Sequence, residues 1–243
     1  MARLRASPHF RTIAPAASAM LGDDADGARA AFPSVDVYGR VFALQVGAPV
    51  RFVESPPKPR RWRRKEVVDP RTLYDARITL ERVVPSRPGS WHDLTNALVW
   101  GTFPRAKAAL HARQHRAITA RIVPGARTLP PTRTRELDAL ALLDEGGVLL
   151  VPGETPSGES ARVVFGHAIY ESLAAGTPPA VVAAIELDVA AARGRSIEVA
   201  ALDRALASVL EDPARLQSPG ELRRIDLSVG TSSDGAGPAA LVP

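Results

Sequence analysis

The 243-residue sequence predicts an α+β fold in a single domain, a helical pair beside a mainly antiparallel sheet that contains a hairpin. Three observations lead there. Helix-like and strand-like segments come in blocks rather than in strict strand–helix–strand alternation, which argues against a doubly wound parallel sheet. Two helical segments follow one another at 91–102 and 104–120, with Pro104 suited to the first position of the second. Two apolar runs flank Asp144-Glu145-Gly146-Gly147, which predicts a hairpin over 138–151.

Taken in order, residues 1–33 show no sustained period and read as a loose N-terminal segment. The domain is expected over 34–228, with a short helix and then a strand at VRFVE within 35–54. Prolines open and close the segment 55–70, and six basic residues lie between Lys58 and Lys65 around Trp62. Clustered like charge and proline both oppose packing, so this is expected to be an exposed loop. Residues 72–86 alternate apolar and polar side chains and read as extended. Ser90 is the expected N-cap of the first helix, with Asp93 in the place of a capping-box partner. After the hairpin come a strand at ARVVFG, a helix from His167, a strand at PAVVAAIELDVA, and an amphipathic helix capped by Ser196 and ended by Pro213. A disordered tail is expected over 229–243.

Composition narrows the classes. Hydrophobic residues make up 45%, enough for a core, and no apolar run reaches membrane-spanning length. The absence of cysteine excludes disulfides and thiolate metal sites and fits a reducing compartment. The N-terminal apolar stretch is broken by Pro15 and makes a poor signal-peptide core, so the expected location is cytoplasmic, with no membrane partner. The net charge is +5, but only Lys58, Lys65 and Lys107 are lysines among the 31 basic residues. Such arginine bias is what a GC-rich genome produces, so nucleic acid is the less favoured partner, behind a small molecule or an acidic partner.

No nucleotide-binding glycine loop, H-E-x-x-H or G-x-S-x-G is present. What remains is imidazoles and carboxylates near element ends. His92 and Asn96 are four apart, with Asp93 between them; His167 and Glu171 are likewise four apart. That spacing lets two side chains on a helix converge on an ion, and equally lets them make a helical hydrogen bond. Asp138 is the preferred candidate over Asp144 and Glu145, which fall in the expected turn. His111 and His115 share the spacing, but Arg113 and Arg116 beside them suggest an exposed face.

These residues lie within three longer strings: YDARITLERVVPSRPGSWHDLTNALVWGTFPRAKAAL, RTRELDALALLDEGGVLLV and FGHAIYESL. They resemble the signature of an uncharacterised bacterial family catalogued as a domain of unknown function, over roughly residues 35–190. The resemblance implies that Trp91, His92, Asp93, Asn96, Trp100, Phe103, Pro104, Lys107, Asp138, Asp144, Glu145, His167 and Glu171 are signature positions. Leu137 departs from it, standing where the family pattern has arginine, and the chain lacks that pattern's Trp-Pro-Asn ending. No reaction comes with the resemblance.

The expectation is a metal-assisted hydrolase, with phosphoesters as candidate substrates. His92, Asp93, His167 and Asp138 would hold a divalent metal ion, Glu171 would act as ligand or base, Asn96 would orient, and Lys107 would counter substrate charge. The alternative is a non-enzymatic binding protein in which a His/Asp/Asn network is buried and arginine-rich loops make the contacts. The site reading requires His92 and His167 to converge, with imidazole nitrogens about 3–5 Å apart.

Overall fold

Ordered helix begins almost at the first residue. In the computed structural model, which describes residues 1–22, 32–43, 45, 48–55, 67–152, 160–189 and 198–227, α1 spans Ala2–Arg5 and α2 spans Ala14–Leu21. A 3-10 helix, Pro8–Thr12, joins them, capped by the Ser7 hydroxyl. Residues 1–22 are therefore not the loose segment expected from the sequence. Leu4, Ile13, Ala17 and Met20 are buried in the core, and tertiary burial supplies the order that a weak period did not announce. Gly101 lets this layer approach closely, since a Cβ there would meet Val41 Cβ at 2.5 Å and Ala16 Cβ at 3.0 Å.

A 3-10 helix, Val35–Phe42, leads to β1, Arg51–Glu54. The charged centre of the basic loop, with Trp62, lies outside the described residues, as does the tail from residue 228. Residues 72–86 are not all extended. They form α3, Tyr74–Glu81, followed by β2, Val83–Ser86. Ala76 and Ile78 are buried on the helix, Arg77 and Glu81 pair one turn apart, and Arg82 ends it in the left-handed region at φ 57°. β2 then pairs with β1 in parallel, Arg51 opposite Val83.

The two central helices form as expected: α4 is Trp91–Thr102 and α5 is Pro104–Thr119. Ser90 caps α4 by accepting from the Asp93 N–H at 3.2 Å. The reciprocal half of a capping box is absent, because the Asp93 carboxylate turns to Arg87 instead.

The expected hairpin over 138–151 is overturned. Residues Arg135–Gly146 form α6, and only Gly147–Val151 is strand, β3. Thr134 caps the helix by accepting from the Leu137 N–H, and Glu136 and Asp138 fall in its first turn, where the dipole favours acids. Leu137, Leu140 and Leu143 recur every three residues on the buried side. The Asp-Glu-Gly-Gly string closes a helix rather than turning a hairpin.

β3 runs at the centre of a four-stranded sheet ordered β4-β3-β5-β6, with all five of its residues buried. β4 (Ala161–Val164) lies antiparallel to β3, β5 (Val181–Glu186) lies parallel to it, and β6 (Arg223–Asp226) lies antiparallel to β5. With β1 and β2 also parallel, the sheets are mixed rather than mainly antiparallel. The parallel step is a crossover through α7, His167–Ala175. The last helix, α8, is Val199–Glu211, and the expected cap Ser196 lies outside the described residues.

Two glycines set the junction that matters for function. The Gly147 carbonyl accepts from the N–H groups of Phe165 (3.0 Å) and Gly166 (2.8 Å), so the start of α7 is tied to the end of α6. A Cβ on Gly166 would meet the Gly147 nitrogen at 2.4 Å and the Glu145 carbonyl oxygen at 2.5 Å, both backbone. Gly166→Ala is expected to force the two helix ends apart at a cost of about 1–3 kcal/mol, measurable as a lower denaturation midpoint. An unchanged midpoint would mean the junction is looser than these distances require.

Candidate metal centre

Three helix ends meet at one point. His92 stands in the first turn of α4, His167 opens α7, and Glu145 lies in the last turn of α6. The two imidazoles converge as required, Nε2 to Nε2 at 3.0 Å, although 75 positions separate them in the chain. Glu145 Oε2 lies 3.4 Å from His167 Nε2. The ligand atoms of His92, Glu145 and His167 all fall within 4.8 Å of one another.

The outer nitrogens determine what the inner ones offer. His167 Nδ1 lies 2.9 Å from the Asp144 carbonyl oxygen, and His92 Nδ1 lies 3.1 Å from Glu171 Oε2. Carbonyl and carboxylate oxygens only accept, so both Nδ1 atoms carry hydrogen and donate. Both Nε2 atoms of the neutral rings are then left as lone pairs, and they point at each other and at a carboxylate oxygen. With both rings in that tautomer, two lone pairs and a carboxylate oxygen face one another. This is the donor set of a cation site, and each histidine has the oxygen partner on its far nitrogen that metal-bound histidines almost always have. Ligand–metal bonds near 2.1 Å at angles of 90–109° place ligands about 3.0–3.4 Å apart, which matches the two separations above.

The electrostatics agree. Burial lowers the His167 pKa to about 3, against the pull of Asp144 in the other direction, so its lone pair stays available at neutral pH. Burial, then the neighbouring Asp144 charge, raises the Glu145 carboxyl. A cation would favour the ionised Glu145 carboxylate and bind the neutral His167 ring. The cluster is open on one side: the His92, Glu171 and Glu145 side chains are 34%, 40% and 50% exposed, whereas that of His167 is 3% exposed.

Beneath the triad lies a buried polar layer. Lys107 is fully buried, and its Nζ pairs with Asp144 Oδ1. Burial alone would raise the Asp144 carboxyl, but the Lys107 ammonium, with help from the His167 and His111 side, holds it well below the usual range. Asp144 thus braces the site twice, its carboxylate on Lys107 and its carbonyl on His167. Further in, His111 Nδ1 pairs with Asp75 Oδ1 at 2.9 Å, and its ring stacks on Trp100.

Several residues singled out from the sequence lie elsewhere. Asp93 is not placed to bind an ion with the histidines, because Arg87 takes both its oxygens: Oδ2 accepts from the backbone N–H at 2.6 Å and from Nε at 2.8 Å, and Oδ1 accepts from Nη2 at 3.1 Å. Burial raises its pKa, and those Arg87 bonds outweigh burial and leave it lowered. Asn96 donates to the Tyr74 hydroxyl at 3.3 Å rather than orienting a ligand. Asp138 sits two turns before Glu145 on α6, about 10 Å along the axis, too far to share an ion with His92 and His167. Lys107, expected to counter substrate charge, has no exposed surface. His111 and His115 form no pair, since His115 contacts Thr119 instead. Arg113 beside them is buried rather than exposed, clamping Glu136 and the carbonyls of Leu210, Asp212 and Arg215. Glu171 does lie at the site, behind His92 rather than in the triad.

The residue sequence reasoning undervalued is Glu145. In the expected hairpin it falls in the turn. On a helix, adjacent residues point about 100° apart, so Asp144 reaches inward to Lys107 while Glu145 reaches the histidines.

Residues 62–157 match the family model described as "Protein of unknown function (DUF3025)". The DUF3025 match takes in His92, Lys107, Asp144 and Glu145 and stops before His167 and Glu171, so α7 completes the triad from beyond it. No curated protein and no solved structure matches the chain. Among the described residues no helix is long and apolar enough to cross a membrane.

The role of Glu171 can be tested by Glu171→Gln. The amide still accepts from His92 but no longer carries charge, and weakening such an outer partner typically costs about 10–100-fold in metal affinity. Isothermal titration with zinc should show that loss, with the unfolding midpoint unchanged. An unaltered affinity would remove Glu171 from the site.

Proposed function

We propose that the protein is a metal-dependent hydrolase in which His92, His167 and Glu145 hold one divalent ion. The observation that carries this reading is the meeting of two imidazole nitrogens and the Glu145 carboxylate, with the far nitrogen of each ring held by Asp144 or Glu171. Three protein ligands on an open face leave a coordination position for water or substrate, the arrangement of catalytic rather than structural zinc sites. A divalent ion there lowers the pKa of bound water towards neutrality, to about 7 in good cases. The chain's own residues do the rest: Asp144 and Glu171 hold the ring orientations, and Lys107 neutralises Asp144 in the buried layer.

Phosphoesters lose support as the preferred substrates, because the lysine assigned to their charge is consumed by Asp144. Asp93 and Asp138 leave the ligand set. A second reading, a binding protein stiffened by its buried network, is favoured by Lys107–Asp144 and His111–Asp75, which have no direct part in chemistry.

The test is turnover of chromogenic carboxylic and phosphoric esters by metal-stripped and zinc- or manganese-reloaded protein. Metal-restored hydrolysis that is lost in His167→Ala supports the hydrolase. Metal binding without turnover of any ester supports the binding protein, and hydrolysis indifferent to metal contradicts the proposed centre.

A further inference from the structure

Beside the triad a cleft of about 610 Å³ opens between α6, α7 and the start of β5. That volume is within the usual range for small-molecule sites, about 300–1,000 Å³. Its walls are mostly apolar: Leu142 on α6, Ala168 and Ile169 on α7, and Val181 and Val182 on β5. Two of these, Leu142 and Val181, are 46% and 49% exposed, a cost in water that a seated apolar group would offset.

The cleft and the metal centre share one residue, Glu145, which lines the first and stands in the second. Leu142 and Glu145 are three apart on the same face of α6, so the rim of the cleft adjoins the triad's carboxylate. A group held beside Glu145 would have its adjoining part next to Leu142. The charged members, Arg133 and Asp138, belong to the other end of the α6 wall, near its N-terminus.

We infer that this cleft receives an apolar acyl group, so that the substrates are esters or amides of apolar carboxylic acids rather than phosphorylated or sugar-like molecules. The inference rests on the metal-dependent hydrolase reading. The cleft selects by chain length, because each methylene buried against Leu142, Ile169 and Val181 adds affinity, about three- to fourfold per group.

The test separates the cleft from the metal. Alkyl hydroxamates of increasing chain length, from acetohydroxamate to octanohydroxamate, are titrated into zinc-loaded protein by calorimetry. Affinity should rise about three- to fourfold per methylene over the first few carbons. In Leu142→Asn and in Ala168→Leu, one making the rim polar and the other filling the cleft, the rise should flatten while zinc affinity stays unchanged. Both positions are at least partly exposed, so neither change threatens the core. A chain-length dependence absent from wild type, or retained in both variants, overturns the inference. The metal-free protein gives an arm independent of the ion. Hexanol added to methyl-labelled protein should shift the Leu142, Ile169, Val181 and Val182 methyl resonances selectively. If those methyls do not respond, the cleft is no acyl site whatever the metal does. If they respond while no zinc binds, the cleft stands and the metal reading falls.

Discussion

His92→Ala is expected to weaken zinc binding by more than about 100-fold while the fold survives. The comparison is the loss of an outer partner, which alone costs about 10–100-fold; removing a ligand removes more. The His92 side chain is one-third exposed, with hydrogen-bond distances to Glu171 and His167, so unfolding of the metal-free protein should move by no more than about 0.5 kcal/mol. The sign is informative. In the metal-free chain the substitution removes one of two lone pairs held 3.0 Å apart, so it should be neutral or slightly stabilising. If His92 instead belongs to a structural network, the variant should lose stability with or without metal. Unfolding midpoints measured with and without zinc distinguish the two cases.

Lys107→Met is expected to have the larger effect on stability, a loss of about 3–5 kcal/mol by chemical denaturation. Methionine keeps most of the stem packed beside Trp100, so the loss reports the charge. It strands the Asp144 carboxylate, whose partner is gone and whose neighbour Glu145 is itself acidic. Lys107→Met combined with Asp144→Asn should recover a large part of the loss, because the two residues act as one unit. A single substitution costing less than about 1 kcal/mol would show that water reaches Asp144 and that the pair is not a brace.

Much of the helical frame was legible from the sequence. Ser90, Pro88-Gly89 and the Leu94–Ala97–Leu98 face located α4, Pro104 located α5, and His167 was correctly placed at a helix start. The convergence of His92 and His167 was legible too, from glycine before each helix and a four-residue spacing within each. Three things were not. The helix α6 was hidden because Asp-Glu-Gly-Gly serves equally to turn a hairpin and to end a helix, and leucine- and alanine-rich runs of this length fit both periods. A hairpin turn there leaves Glu145 away from the histidines, whereas the helix brings it to them. The order of residues 1–22 was hidden because their helices are short and depend on burial against α4 and α7, including the Arg3 bond to the Ala175 carbonyl. The distinction between Asp93 and Glu145 as third ligand needed partners in space: Arg87, directly after β2, occupies the first and leaves the second to the histidines.

The most direct measurement is anomalous diffraction at the zinc edge from crystals grown with one equivalent of zinc. The metal-centre account predicts a single ion per chain, about 2.0–2.2 Å from His92 Nε2, from His167 Nε2 and from a Glu145 carboxylate oxygen, with Asp93 still on Arg87. An ion held elsewhere, or no ordered ion between these imidazoles at full occupancy of zinc in solution, would contradict it.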